Sequence, residues 1–156
     1  MEDLIYKVED LEKLSPEEKK EYIRRLILNV IQSCPEGITT TQIAKAIGID
    51  IKTVHKHLEY LVAVREVYKK EFGKRIVLYF PNQNLTSPFQ MKTYKIGGHY
   101  YTFRIIKNDF GEFIYIQERE RNPYTNTYSA LGGILIPKSH LDEFIEHLKK
   151  LKEVVS

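Results

Sequence analysis

The chain has no tryptophan and a single cysteine, Cys34. A lone thiol excludes an intrachain disulfide framework and is the usage expected in a reducing cytoplasm. At the end of an apolar helical pattern, Cys34 reads as a structural thiol rather than a nucleophile. No run of eighteen apolar residues exists to span a bilayer. The first ten residues, MEDLIYKVED, are acidic and lack a secretory-signal pattern, so a cytoplasmic protein is the expectation. There is no phosphate-cradling glycine loop and no nucleophile elbow. The five histidines, His55, His57, His99, His140 and His147, fall at no metal-ligand spacing with cysteine or acid. His55 and His57 lie two apart on a helix and point to different sides. His140 and His147 lie two turns apart on one face and read as surface or interface positions. Catalysis finds no support, so no enzyme, metal or cofactor is expected.

The 156 residues suffice for one large domain or two small ones, and the 42% apolar fraction is ample for cores. Charged residues at 29%, with many Ile, Lys, Glu and Tyr, are compatible with a thermophilic archaeon. The net charge of +3 does not by itself suggest nucleic acid. Its distribution does. Residues 39–80 hold eight Lys and Arg against four Asp and Glu, whereas residues 1–38 hold six against nine. Residues 81–156 hold ten against eight. Positive charge is thus concentrated in one segment, the footprint of a phosphate-contacting face. The acidic start would be repelled by DNA and belongs elsewhere, packed or in protein contact.

That basic segment opens with TTTQIAKAIGIDIKTVHKHLEYL, Thr39 to Leu61. Thr39 and Thr40 each offer a side-chain oxygen to the free N–H groups of a first helical turn. Ile43, Ala44 and Ile47 recur at helical spacing, and Gly48 suits a left-handed helix end. Asp50 caps a second helix, in which Val54, Leu58 and Leu61 form the inward stripe. Ala44 permits a close crossing of the two helices. Lys52, Thr53, His55 and Lys56 are left on the outward face, while His57 reads as a partly buried packing residue. The result is a cationic rod of the width a DNA major groove admits.

The flanks agree. Ser15-Pro16-Glu17-Glu18 marks a helix start: a capping serine, proline at the first position, and acids at the positive end of the dipole. Tyr22, Ile23, Leu26, Ile27, Val30 and Ile31 then make one apolar face, ending before Cys34-Pro35-Glu36-Gly37. Residues 66–71 and 75–80 read as two strands around Phe72-Gly73-Lys74, with Lys69, Lys70, Lys74 and Arg75 on or beside the hairpin. These residues, TVHKHLEYL above all, resemble the helix-turn-helix of the winged-helix family, and of archaeal-type transcriptional regulators within it. The resemblance implies that the second helix is the recognition helix and the hairpin the wing. It implies duplex-DNA contacts from Thr40, Lys52, Thr53, His55, Lys56, Lys69, Lys70, Lys74 and Arg75. The alternative is a solvated helix face in a winged helix that binds protein.

Pro81-Asn82-Gln83-Asn84-Leu85-Thr86-Ser87-Pro88 marks a short linker, which divides the chain into residues 1–81 and 89–156. Beyond it the period changes. Residues 91–96, 100–107, 112–120 and 128–136 alternate as strands, with a tight turn at Asn108-Asp109-Phe110-Gly111 and a bend or bulge at Gly132-Gly133. Pro137-Lys138-Ser139 starts a helix with Leu141, Phe144, Ile145, Leu148 and Leu151 on one side. The predicted class is α+β: three helices and a hairpin, then a four-stranded antiparallel sheet with one C-terminal helix. So small a meander cannot bury both its inner face and that helix, which predicts a homodimer.

Tyr101-Thr102-Phe103-Arg104-Ile105, Gly111 through Glu118, and Gly133-Ile134-Leu135-Ile136-Pro137 leading into the helix resemble the fold of Pur, Whirly and positive-cofactor proteins. That resemblance, over residues 92–152, implies a dimeric unit whose sheets bind single-stranded nucleic acid. Its candidate residues are Tyr101, Phe103, Arg104, Phe113, Tyr115, Arg119, Arg121 and Tyr124. Rings beside guanidinium groups form such stacking platforms. Aromatic residues also fill sheet cores and dimer seams, and a small-ligand pocket is a further alternative. Two functions are therefore expected to compete. One is a dimeric transcriptional regulator reading duplex DNA. The other is a single-stranded DNA or RNA binder of replication, repair or transcription.

Overall fold

Helix α1 (Pro16–Gln32) begins where its capping residues dictate. The Ser15 hydroxyl accepts the Glu18 amide at 3.2 Å, and the Glu18 carboxylate accepts the Ser15 amide at 2.8 Å. Two orphan donors of the first turn are thereby satisfied reciprocally. The computed structural model describes residues 11–86, 92–124 and 126–155. The acidic start, Ser87-Pro88 of the linker and Met91 of the first predicted C-terminal strand lie outside the described residues, as does Thr125.

Helix α2 (Thr40–Ile47) repeats the device, with Thr39 and Gln42 as the reciprocal pair. Of the two threonines expected to cap, Thr39 does so. Gly48 ends the helix at φ 72°, its amide donating to the Ala44 carbonyl at 2.9 Å. That left-handed conformation strains any residue with a Cβ. Asp50 then caps α3 (Ile51–Ala63), its carboxylate accepting the Thr53 amide at 2.9 Å and the Thr53 hydroxyl at 2.7 Å. Ile27, Ile31, Ile43, Val54 and Leu58 are fully buried. Strands β1 (Val67–Phe72) and β2 (Ile76–Pro81) form a two-stranded sheet. Tyr79 of β2 exchanges both backbone hydrogen bonds with Ile38, at 2.8 and 3.1 Å, tying the hairpin to the segment that leads into α2.

Two compact units result. The first holds the described residues up to Leu61 together with Lys69–Pro81. The second runs on from Asn82 and also takes in Val62–Tyr68.

The second unit is an antiparallel sheet followed by a helix. Strands β3 (Gln83–Asn84) and β4 (Thr93–Ile96) both pair with β5 (His99–Asn108). Strand β5 pairs with β6 (Gly111–Asn122), and β6 with β7 (Thr127–Pro137). The four predicted strands are present, and the two-residue β3 adds a fifth. Asn108 faces Gly111 across the turn of Asp109 and Phe110. Between Glu118 and Arg119 the register shifts, so that Leu131 is the extra residue beside Gly132, close to where a bulge is predicted. A turn of 3-10 helix, Lys138–His140, leads into α4 (Leu141–Val155).

One face of the sheet is closed by the chain's own segment Val62–Tyr68. Tyr115, 1% exposed, donates from its hydroxyl to the Val64 carbonyl. Gln117, fully buried, donates to that hydroxyl at 2.6 Å and to Glu66 at 2.9 Å. Arg104 completes the group with a 2.7 Å ion pair to Glu66. Gly133 permits the approach: a Cβ there would stand 2.5 Å from the Val64 carbonyl oxygen. Burial, with Glu66 nearby, raises the Tyr115 phenol well above its ordinary pKa, so it stays a donor. The opposite face leaves Tyr94, Ile96, Phe103 and Ile134 exposed, while Ile136 on the same face is buried. Helix α4 exposes Ile145, Leu148, Leu151 and Val154.

Candidate nucleic-acid interface

Helix α3 splits its residues cleanly between support and display. Val54, His57, Leu58 and Leu61 turn inward and are buried. Lys52, His55, Lys56 and Glu59 lie exposed on the other side. Thr53 is only half-exposed, and its hydroxyl is already donated to Asp50. Those two donors from Thr53 hold the Asp50 carboxyl below the usual carboxylate range. Thr40 is the first residue of α2 and is half-buried.

Glu59 is the member that inspection of basic residues passes over. Its carboxylate lies 3.8 Å from His55 Nε2 and 3.5 Å from Lys69 Nζ, so it links the rod to the hairpin. The His55–Glu59 spacing of four was the available signal. Lys70 stands 5.2 Å from the centre of the Phe80 ring. Lys74 and Arg75 are exposed in the hairpin loop. Lys52, Lys56, Lys74 and Arg75 therefore all offer exposed positive charge.

Behind the rod, α1 locks α3 through Arg24. Its Nε donates to His57 Nδ1 at 3.3 Å, and its guanidinium carbon stacks 3.6 Å from the Tyr60 ring centre. Glu21 lies 3.7 Å from the same guanidinium. The rod is thus fixed on its inner side by an apolar stripe and by one cation anchored on a neutral imidazole. A rigid helix with exposed cations beside a cationic hairpin can engage phosphates and reach base edges.

Residues 20–63 match the family model for winged helix-turn-helix DNA binding. No curated protein and no solved structure matches the chain. The match runs from α1 through the whole of α3, so it takes in both helices of the motif and their support. In that family the second helix of the motif reads DNA and a following hairpin forms the wing; α3 and β1–β2 hold those positions in the chain order. The wing lies beyond the matched residues and rests on its own geometry.

His57 supports α3 in a pH-dependent way. Burial, then the positive charges of Arg24, Lys56 and Lys20, lowers its pKa below 6.5. Protonation would also remove the lone pair that accepts Arg24. The folded winged helix binds this proton less readily than the unfolded chain, so stability is full above about pH 6.5. It is lost as pH falls through the native pKa. Urea midpoints measured from pH 8 to pH 5 are expected to fall on the acid side, and His57→Gln should flatten that fall. An unchanged slope in the variant would remove His57 from the account.

The residues considered for single-strand binding do not share one surface. Phe103 pairs with Ile116 and Arg104 with Tyr115, so Tyr101 and Phe103 occupy one face. Phe113, Tyr115, Arg104, Arg119 and Arg121 occupy the other. Tyr115 is buried, Arg104 is held by Glu66, and Arg121 donates to Asn126 Oδ1 at 3.0 and 2.6 Å. Tyr124 is almost fully exposed. Among the described residues no group of three or more His, Cys, Asp and Glu could hold a metal ion. Nor is any described helix long and apolar enough to cross a membrane.

Proposed function

We propose that the protein is a cytoplasmic transcriptional regulator that reads duplex DNA as a homodimer, without catalysis of its own. The observation that carries this reading is the exposed cationic face of α3, fixed from behind and set within a match to a DNA-binding family. Lys56 and Lys52 would meet phosphates, His55 a base edge, and Lys74 and Arg75 the backbone beside the helix. Support for the dimer comes from the second unit. Tyr94, Ile96, Phe103 and Ile134 of its sheet and the exposed stripe of α4 leave apolar surface of the kind a second copy would cover. Dimerisation would set two recognition helices on the half-sites of a pseudopalindrome.

A duplex titration across a salt series tests the first part. Lys56→Ala with Arg75→Ala should weaken binding by roughly tenfold or more and flatten the salt slope by about two units, one per phosphate contact. Unaltered duplex affinity in that double variant sinks the regulator reading. Single-stranded oligonucleotides in the same series weigh the competing reading, for which the exposed rings of Phe103 and Tyr94, 5.9 Å apart, are the supporting observation. Tighter single-strand binding that is lost in Phe103→Ala would transfer the function to the sheet. Light scattering at the titration concentrations gives the oligomeric state.

A further inference from the structure

The wing keeps large apolar side chains where it no longer has a core to face. Alternate residues of β2 pass from Phe80, 6% exposed, through half-buried Leu78 to Ile76, 53% exposed at the far end. Phe72, the last residue of β1, is 49% exposed. Phe72 and Ile76 therefore bracket the three-residue loop Gly73-Lys74-Arg75. The surroundings are strongly cationic, since residues 67–81 hold four Lys and Arg against one Glu.

We infer that the tip of the wing is a DNA-deforming wedge, Lys74 and Arg75 seating it on phosphates while Phe72 and Ile76 press into the minor groove. The inference rests on the duplex-binding reading and adds to it a contact that alters DNA shape. Apolar side chains wedged against a base step partly unstack it and bend the duplex toward the major groove. Positive charge on the loop selects this occupant over a neutral protein surface, because the groove is walled by phosphates. Pyrimidine–purine steps deform most easily, so the wedge contributes selectivity for them without reading a base edge.

End-to-end energy transfer on a mixed-sequence duplex with a central TA step tests this at saturating full-length protein. The wild type should shorten the end-to-end distance. Phe72→Ala with Ile76→Ala should abolish at least half of that shortening and leave the salt slope unchanged. Lys74→Ala with Arg75→Ala should flatten the slope by about two units. Phe72→Leu with Ile76→Val, which keeps the wedge apolar, should restore most of the bend and guards against a folding artefact. Duplex binding without bending, or bending that survives the double alanine change, overturns the wedge and leaves the regulator reading standing. Failure of the wild type to bind duplex at all overturns both.

Discussion

Arg104→Ala is expected to destabilise the second unit by about 3 kcal/mol, because it strands the Glu66 carboxylate in a largely buried site. The two side chains are 16% and 22% exposed, and their charged atoms are 2.7 Å apart. Gln117 remains as a donor to Glu66, but an amide cannot neutralise the charge. That partial access to water places the cost at the lower end of the range for broken buried pairs. The same geometry predicts a recovery. Replacing both partners, Arg104→Met with Glu66→Gln, removes the charges together and should return most of the lost stability. Urea unfolding of the two variants against the parent measures both effects. A single substitution costing under about 1 kcal/mol would mean that the pair is screened like a surface bridge.

This pair also marks the limit of what was legible in the sequence. Helix starts and stops were readable because their causes are local. Ser15 with Glu18, Thr39 with Gln42, and Gly48 each act within four residues. Glu66, by contrast, finds its partners in Arg104 and Gln117, 38 and 51 positions away. Nothing near Glu66 distinguishes it from a solvated charge between a helix and a strand. The inclusion of Val62–Tyr68 in the second unit was invisible for the same reason.

The sheet faces are a different case, since their arrangement could have been derived. A two-residue turn at Asp109 and Phe110 pairs Asn108 with Gly111. Every even position of β5 then faces an odd position of β6. Arg104 must therefore share a face with Tyr115, and Phe103 with Ile116. Alternation within each strand puts Tyr101 with Phe103 and Phe113 with Tyr115 but does not relate the two pairs. The turn supplied the missing constraint, because hairpin length fixes register and register fixes facing. Helix α3 needed no such step: its inward stripe and outward cations follow from one period on one element.

Leu58→Ala is expected to cost about 3 kcal/mol of stability in the first unit, within the 2–5 kcal/mol range for emptying a buried leucine site. Leu58 is fully buried, as are Val54, Ile43 and Ile27, so little solvent can reach the cavity to relieve it. The substitution touches no cation on the outward face, which separates support from contact. At a temperature where the variant is still folded, its duplex affinity should fall modestly and its salt slope should not change, because the same phosphates are met. On warming, binding should disappear at the variant's own lower melting temperature, whereas Lys56→Ala should melt like the parent and bind weakly throughout. Melting followed by far-ultraviolet circular dichroism, beside duplex titrations at two temperatures, distinguishes the two behaviours. If Leu58→Ala flattened the salt slope as Lys56→Ala does, the inner stripe would be setting which phosphates are reached as well as holding the helix in place.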